Sequence, residues 1–173
     1  MMILAVDAAT KSGFALGRVG ETPRAWSQRL KGGDDEPERA FKKMGIALRD
    51  LFALEKPDLV VIEQHMLFAG NGQSTAKTGY LLQGLVASVF AICGPYSVKA
   101  RLAAPQTVRR HFVGRARPDD PKREVLDRCK ALGWVAPDFK DMDATDAAAV
   151  WSYGWKTYAP DVPHPIDSLG ALI

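Results

Sequence analysis

The sequence predicts a mixed α/β domain in which helices flank a sheet of five strands. Two apolar runs, at 2–7 and 59–63, each end on an acidic residue, a pattern typical of strands that are buried on both faces. Between these runs lie two further strand-like segments and then a helical period, and after them helices alternate with strands. This order of elements is typical of a sheet that starts antiparallel and continues with α/β units.

The segment between the two apolar runs is predicted to supply two strands and a helix. The strands, at 13–19 and 24–30, flank the sequence Gly20-Glu21-Thr22-Pro23, which has the composition of a turn. A polar loop over 31–37 follows them. Apolar residues then recur at a helical period from Ala40 to Phe52, which predicts a helix with one apolar face.

The second half of the chain is predicted to hold one more strand and four helices. The first of these helices, at 76–93, is weakly polar and rich in small residues, so that another backbone could approach it closely, in the core or across a dimer. The remaining elements are expected as a strand at 96–102 and helices at 105–112, at 121–132 and from about Asp143 to Tyr158.

The length and composition predict a single domain. The chain has 173 residues, a length that normally forms one hydrophobic core, and 47% of them are hydrophobic. The Pro-rich stretch after Tyr158 cannot extend the last helix and is predicted to be a loose tail. We therefore assign residues 1–158 to one domain and residues 159–173 to a C-terminal tail.

The sequence is expected to belong to a cytoplasmic protein. No stretch approaches ~18 uninterrupted apolar residues, and no basic segment precedes the first strand, which argues against a membrane span and a signal peptide. Cys93 and Cys129 lie outside any Cys-x-x-Cys or Cys/His metal pattern. We expect both to be reduced thiols that pack as small apolar residues.

Four acidic residues are predicted to gather at one edge of the sheet. Asp7 and Glu63 each end an apolar strand, and Asp143 and Asp146 share one face at a helix start. Four carboxylates repel one another unless cations lie between them. Their oxygens suit Mg²⁺ or Mn²⁺, and two such ions would align water with a phosphodiester and hydrolyse it. Asp141 is an alternative to Asp143, because either residue could cap the helix while the other binds metal.

Basic residues are concentrated in one segment of the chain. Residues 99–130 contain ten Lys or Arg and four Asp or Glu, a net charge of +6, whereas the rest of the chain carries −3 and the whole chain +3. A basic segment beside a cluster of carboxylates favours a polyanion, which must be held while metal ions act on it. The candidate contacts to such a polyanion in this segment are Arg109, Arg110, Arg115, Arg117, Lys122 and Arg123.

Four stretches spread over most of the chain carry a resemblance to a known family. They are Ile3-Leu4-Ala5-Val6-Asp7 followed by Gly13, Val60-Val61-Ile62-Glu63-Gln64, the segment 108–114, and Asp143-Ala144-Thr145-Asp146-Ala147-Ala148-Ala149. In these stretches the sequence resembles the RuvC family of Holliday junction resolvases, which have the RNase H-like fold of the retroviral integrase superfamily. The resemblance implies an RNase H-like mixed five-stranded sheet and a homodimer that nicks two opposed strands of a four-way junction. It also implies that the Mg²⁺ ligands and catalytic acids are Asp7, Glu63, Asp143 and Asp146.

The resemblance further implies roles for two cations and one aromatic residue. Relatives carry a Lys at the position of Arg109 and a second Lys at the start of the next helix, where this chain has Lys122. Both lysines of the relatives are thought to contact phosphates near the scissile bond. The resemblance therefore places Lys122 among the catalytic residues. Relatives often present a base-stacking Phe at the position of Met66, and Phe68 is the candidate for that contact with DNA in this chain. Relatives also follow the first acid with Pro-Gly, whereas this chain has Ala8-Ala9-Thr10.

Two histidines near these motifs have alternative roles. His111 is either a helix residue packed with Phe112 or a phosphate contact, and His65 directly follows the Glu63-Gln64 pair. Neither is required as a general base where a metal ion activates water. His164 lies in the predicted tail and has no assigned role.

Taken together, the sequence predicts a Mg²⁺-dependent, structure-selective endonuclease that resolves Holliday junctions by paired nicking through metal-activated water. Two alternatives stay open. One is a RuvC-like nuclease, of cellular or phage type, that acts on flaps, forks or structured RNA, and the other is a junction-binding protein without catalysis. The residues predict no motor partner, no cleavage sequence and no particular dimer surface.

Overall fold

The computed structural model describes residues 1–64 and 76–169, which form a five-stranded mixed sheet with helices on both faces. The strands are β1 (Met2–Asp7), β2 (Lys11–Arg18), β3 (Arg24–Arg29), β4 (Leu59–Glu63) and β5 (Lys99–Ala103). Their order in the sheet is β3-β2-β1-β4-β5. The pairs β1 with β2 and β2 with β3 are antiparallel, and the pairs β1 with β4 and β4 with β5 are parallel. The predicted antiparallel start and mixed five-stranded sheet are confirmed.

Six helices lie within the described part of the chain. They are α1 (Pro37–Leu54), α2 (Ala76–Cys93), α3 (Pro105–Val113), α4 (Pro121–Ala131), α5 (Met142–Tyr158) and α6 (Pro165–Leu169). The first five were predicted to within a few residues. The sixth lies in the segment that was predicted to be a loose tail.

The fifth strand begins at Lys99, three residues later than the sequence predicted. Ser97 has a positive φ of 54°, and its amide donates to the carbonyl of Gly94. The amide of Val98 donates to the carbonyl of Cys93. These bonds close the end of α2 and keep residues 96–98 out of the sheet.

β1 occupies the centre of the sheet because its apolar run can be buried on both faces. Successive side chains of a strand point to opposite faces, so Ile3 and Ala5 enter one core while Leu4 and Val6 enter the other. All four side chains are fully buried. The acid that ends this run, Asp7, is thereby fixed at the edge of the sheet.

α1 and α2 cover one face of the sheet. α1 begins at Pro37 and buries a stripe of side chains from Ala40 to Phe52. Gly84 of α2 lies so close to the ring of Phe41 that an added Cβ would stand 2.1 Å from a ring carbon. Of the two roles that the small residues of α2 could have, Gly84 therefore serves close packing in the core.

Among the helices of the described residues, α2 alone is long and apolar enough to cross a membrane, with a mean hydropathy of 1.3. One side of it packs in the core through Leu81, Leu85 and Val89. On its other side Tyr80 and Phe90 are 54% and 40% exposed. A soluble core helix passes the same test of length and composition, so the test alone assigns no membrane to this chain.

α5 crosses the other face of the sheet as a buried helix. Its alanines, including Ala147 and Ala148, let it lie close to β1 and β2. Trp151 is fully buried, and its indole Nε1 donates to the carbonyl oxygens of Ile3 at 3.1 Å and Gly17 at 3.3 Å. These bonds join the helix to both strands and set its axial position.

The prediction of a loose tail after Tyr158 is wrong for the described residues 159–169. α5 does end at Tyr158, but His164 is only 2% exposed and its ring packs 4.5 Å from the ring of Trp155. The His164 Nε2 lies 3.1 Å from the Oγ of Ser152, which lies 2.8 Å from the Nε2 of His111. The prolines stop the helix, but a buried polar side chain that finds its hydrogen bonds anchors the segment to the domain.

Candidate active site

Two of the predicted acids meet at the ends of adjacent parallel strands. In the pairing of β1 with β4, Val6 lies opposite Ile62, so Asp7 and Glu63 are the next residues along each strand. Parallel strands end at the same edge of a sheet, which is where α/β proteins place their ligands. The two apolar runs therefore deliver two carboxylates to one place.

The other two acids stand at the start of α5. Asp141 is the N-cap, and its side chain accepts a hydrogen bond from the amide of Ala144 at 3.4 Å. Asp143 lies in the first turn of the helix and Asp146 lies one turn further on. The capping role, which the sequence left open between Asp141 and Asp143, belongs to Asp141.

Gly13 brings the start of α5 against the sheet. It pairs with Asp7 across the β1–β2 ladder, and a Cβ added to it would lie 1.9 Å from the carbonyl oxygen of Asp143. Any side chain at this position would push the helix away. The absence of a side chain at Gly13 therefore decides how close the α5 acids come to those of the strands.

A cavity of about 350 Å³ opens at this edge. Asp7, Glu63 and Asp146 contribute three carboxylates to its wall, and Arg109 and Lys122 contribute two cations. Asp143 is not part of the wall. The structure thus brings three of the four predicted acids into one cavity and places the fourth beside it.

Burial and mutual repulsion hold two of the carboxyls near their neutral form. Burial, with the nearby charges of Asp7 and Asp146, raises the pKa of Glu63 to about 8. Burial and the charge of Asp7 likewise raise the pKa of Asp146 to about 7, although Lys122 opposes the shift. Among the described residues, Arg109 and Lys122 therefore supply too little positive charge to keep both acids fully ionised at pH 7.

Two lysines hold the acids at the start of α5. The Lys122 Nζ lies 2.7 Å from an oxygen of Asp143 and 3.5 Å from one of Asp146. The Lys11 Nζ lies 3.0 Å from the other oxygen of Asp143 and 2.8 Å from Asp141. Partial burial alone would raise the pKa of Asp143, but hydrogen bonds from Lys122 and Lys11 outweigh it and lower that pKa. Asp143 is consequently ionised and doubly bridged.

Lys11 and its neighbour Ser27 were not predicted as site residues. The Ser27 hydroxyl donates to the second oxygen of Asp141 at 2.5 Å, so the cap is held by β2 and β3 together. Lys11 stands four residues after Asp7. That short spacing is the signal in the sequence that could have identified Lys11, because a residue so near a site acid in the chain cannot lie far from it.

The donor set fits a hard divalent cation. Its members supply carboxylate oxygens, which hard cations prefer, and a bound cation would favour the ionised forms of Glu63 and Asp146, whose pKa values burial raises. Within residues 1–64 and 76–169, no three His, Cys, Asp or Glu side chains are already arranged around a metal position. Mg²⁺ commonly takes one or two carboxylates together with waters and substrate phosphates, and Asp7, Glu63 and Asp146 could supply such carboxylates.

The predicted DNA contacts fall into two groups. Arg109 and Lys122 line the cavity, as stated. Arg115 is engaged at 2.6 Å with Glu124, and Arg123 at 3.0 Å with Asp127. Such exposed ion pairs contribute ~0–1 kcal/mol and exchange readily for a phosphate. The other two arginines are exposed, Arg110 on α3 and Arg117 in the connection from α3 to α4.

Several predictions made on other residues have different outcomes. His111 belongs to the buried cluster with Ser152, so its interpretation as a packed helix residue is confirmed. Burial lowers its pKa to about 4. The two thiols are free and buried as predicted. The predictions on His65, Met66 and Phe68 lie outside the described residues.

Comparison with known proteins finds similarity in structure rather than in sequence. No protein-family model matches the chain, and no curated protein matches its sequence. The Thermus thermophilus RuvC structure superimposes with a TM-score of 0.67 at 13% identity, covering 92% of this chain and 97% of that one. T. thermophilus RuvC in complex with Holliday junction substrate gives 0.66 at 13% identity, covering 87% and 90%.

A third similar structure is that of a yeast protein. The yeast mitochondrial Holliday junction resolvase Ydc2 has a TM-score of 0.62 at 12% identity, covering 99% of this chain and 84% of that one. The three superpositions cover most of each molecule. The chain therefore has a RuvC-like fold of the RNase H-like class, as the sequence predicted.

Proposed function

We propose that the protein is a divalent-cation-dependent endonuclease that resolves four-way DNA junctions. The observation that carries the proposal is the cavity in which Asp7, Glu63 and Asp146 meet beside Lys122 and Arg109. Buried carboxylates that raise one another's pKa call for bound cations, and basic side chains in the same wall call for a polyanion. A RuvC-like fold adds support, since one similar structure is a RuvC bound to a Holliday junction substrate.

Mg²⁺ is the proposed cofactor, with Mn²⁺ as a substitute and two ions in each site. Asp7, Glu63 and Asp146 would hold the ions, and Asp143 would join them on release from its lysines. The ions would supply a nucleophilic water and stabilise the leaving oxygen of the phosphodiester. The proposed role of the acids is therefore to position cations rather than to transfer protons.

The two cations of the cavity have separate proposed roles. Lys122 is the counter-charge of Asp143 and Asp146 in the protein alone, and its ammonium is close enough to contact a phosphate there. Arg109 offers a planar fork that can bind two phosphate oxygens at once. Arg110, Arg115, Arg117 and Arg123 would hold DNA further from the scissile bond.

We further propose that two copies act together, because paired nicking needs two sites. The exposed side of α2 is the proposed contact surface. It carries Phe90 and Tyr80, whose hydroxyl donates to Glu38 of α1 at 3.0 Å, and α2 contains no charged residue after Lys77. Large exposed aromatic residues on an uncharged helix face are typical of a surface that another protein covers.

The test is cleavage of a synthetic four-way junction by Asp7→Asn and Asp146→Asn in Mg²⁺ and in Mn²⁺. Each variant is expected to lose ~10³-fold or more of the rate, since several kcal/mol of transition-state stabilisation depend on the ions. Junction binding is expected to persist. Asp50→Asn, on the exposed side of α1, is the matched control and should cleave normally. Persistent nicking in both site variants would overturn the proposal.

The choice of substrate is tested with the same preparations. Rates on a four-way junction, a 5′ flap, a fork and a structured RNA are compared at equal concentration. Fastest cleavage of the junction, in symmetric pairs of nicks, is the expected result. Faster cleavage of the flap or the RNA would make that nucleic acid the proposed substrate and leave the proposed metal chemistry unchanged. Metal-independent binding with no cleavage of any substrate would indicate a junction-binding protein.

A further inference from the structure

A second basic cavity lies at the same edge of the sheet as the carboxylates, on the opposite face. Its volume is about 350 Å³, and its wall includes Arg29, Lys31 and Lys77 together with the hydroxyl residues Thr10 and Thr78. It is outside the basic segment 99–130 that the sequence singled out. None of the described residues in its wall is acidic.

The backbone fixes this cavity close to the carboxylate cavity. Thr10 lies three residues after Asp7, so that their Cα atoms are at most ~11 Å apart. The carbonyl of Thr10 accepts the amides of Leu30 at 2.8 Å and Lys31 at 3.1 Å. The connection from β1 to β2 therefore forms part of both sites.

The two cavities open on different faces of the sheet. Leu81, in the wall of the second cavity, belongs to the core that α1 and α2 form. Val108 and Val125, in the wall of the first, belong to the core around α5. Basic residues therefore lie on both faces of the sheet near Asp7 and Glu63. Arg109 of α3 and Lys122 of α4 lie on one face, and Arg29 of β3 and Lys77 of α2 lie on the other.

The cations of the second cavity are available to a ligand. Neither Arg29 nor Lys77 forms an ion pair within residues 1–64 and 76–169. The Lys31 ammonium donates to the carbonyls of Gly32 and Gly33 at 2.8 and 2.9 Å, which uses two of its three donors.

Asp35, in the same loop as Lys31, interacts electrostatically with Lys31 but forms its ion pairs with Arg39 and Lys43 of α1. Its side chain accepts the amide of Gly32 at 2.9 Å and forms an ion pair with Arg39 of α1 at 3.0 Å. The bond from Gly32 lowers the pKa of Asp35, which is thus ionised and engaged away from the cavity. Its effect is to fix the loop that carries Lys31.

We propose that this second cavity binds a backbone phosphate of DNA other than the scissile one. Three cations, with no acid among the described residues of the wall, form a site for a doubly hydrogen-bonded oxyanion. Thr10 in its wall is three residues from Asp7, so the site lies next to the proposed position of the scissile bond. A strand that crosses the acidic edge would then be held on both sides of it. The inference rests on the proposed function.

The test is a double variant, Arg29→Ala/Lys77→Ala, measured by fluorescence anisotropy with a labelled four-way junction. The buffer holds EDTA, so that the reading is independent of metal binding and cleavage. The slope of log affinity against log salt is expected to fall by about 1 to 2, and the affinity at 0.1 M salt to fall roughly tenfold. Lys77→Glu should give a larger loss than Lys77→Ala.

The matched control is Arg18→Ala/Lys56→Ala, which removes the same charge at the opposite end of the sheet, where both residues are exposed. Its salt slope should equal that of the wild type. Equal slopes for both double variants would overturn the inference while the proposed function stands. Absence of junction binding by the wild-type protein would overturn both.

A titration with inorganic phosphate separates the two sources of such an oxyanion. Weak binding, in the millimolar range, is expected of one isolated phosphate. Micromolar binding that is lost in Arg29→Ala/Lys77→Ala, with junction affinity unchanged, would assign the cavity to a small phosphate compound and overturn its assignment to DNA.

Discussion

The carboxylate cavity and the histidine cluster, which consists of His111, Ser152 and His164, both contain buried ionisable groups but differ in how those groups are balanced. Both are built on α3 and α5, and both contain ionisable groups whose pKa is displaced by burial. In the cavity, burial raises the pKa of Glu63 to about 8, and in the cluster it lowers that of His164 to about 4. All these shifts favour the neutral form of a buried group.

The regions differ in whether their polar atoms satisfy one another. The His164 Nδ1 accepts the amide of Ile166 at 3.2 Å, which leaves its Nε2 to donate to Ser152 Oγ, and the hydroxyl then donates to His111 Nε2. In the cavity, burial and the charges of Asp7 and Asp146 raise the pKa of Glu63, and Lys122 balances part of that negative charge from 3.5 Å. A shifted pKa alone therefore does not indicate a functional site. A shifted pKa together with incompletely balanced charge at a cavity does indicate one.

The largest expected effect comes from Glu63→Gln, which should separate activity from stability. Cleavage in Mg²⁺ should fall ~10³-fold or more, because a metal ligand is lost. The free energy of unfolding in metal-free buffer at pH 7.5 should not fall, because the amide is neutral and relieves the repulsion by Asp7 and Asp146. Both quantities are measured on one preparation, by junction cleavage and by urea unfolding.

Glu55→Gln, at the opposite end of the sheet, is the control and should leave cleavage unchanged. A Glu63→Gln protein that is clearly less stable than the wild type would contradict the comparison. In that case the cavity would be a satisfied structural network like the histidine cluster.

A smaller loss of activity is expected from Gly13→Ala, which tests the placement of the α5 acids. The new methyl group would lie 1.9 Å from the carbonyl oxygen of Asp143, so the helix start must move. A misplacement of about 1 Å costs about 10²-fold in rate. Junction cleavage and urea unfolding are the measurements.

Gly45→Ala makes the same chemical change in α1, where the nearest atom to an added Cβ is 3.8 Å away. It should keep full activity and gain up to ~1 kcal/mol of stability, because Ala favours a helix interior over Gly. Normal cleavage by Gly13→Ala would show that the contact with Asp143 does not set the site.

The smallest effect on cleavage is expected from His164→Ala, which should act on stability alone. Loss of the ring leaves a void beside Trp155 and removes a partner of Ser152, at a cost of about 2 to 3 kcal/mol. Urea unfolding at pH 7.5 measures it. Asp161→Ala, exposed in the same segment, should change stability by less than ~0.5 kcal/mol.

The same cluster predicts the pH dependence of stability. The unfolded chain binds protons on its histidines near pH 6.5, whereas His111 and His164 in the folded protein do so near pH 4. Their contribution is therefore complete above pH 6.5 and is lost as the pH falls towards 4. His164→Ala should show a shallower decline, and an equally steep one would exclude the cluster as its cause.

Much of the fold and part of the site could be predicted from local sequence patterns. The apolar runs that end on Asp7 and Glu63 predicted two central strands and the position of their acids, because period and burial are local properties. The role of Lys11 in bridging Asp141 and Asp143 could not be predicted, since those residues are 130 positions or more away in the sequence. The second basic cavity likewise joins β3 to α2 through tertiary contacts.

The tail shows the same limit. Its prolines correctly predicted that α5 stops at Tyr158. They could not predict that His164 would find Ser152 and Trp155, because composition does not say which surface a segment meets.

The sequence by itself determined the order of the elements, the four acids and the net positive charge of residues 99–130. Hydrophobic period, turn composition and charge are carried by neighbouring residues. Only the tertiary structure decided which acid caps α5, which three share a cavity, and which cations face them. Those outcomes depend on distances between strands and helices far apart in the chain, and at Gly13 on the absence of a single side chain.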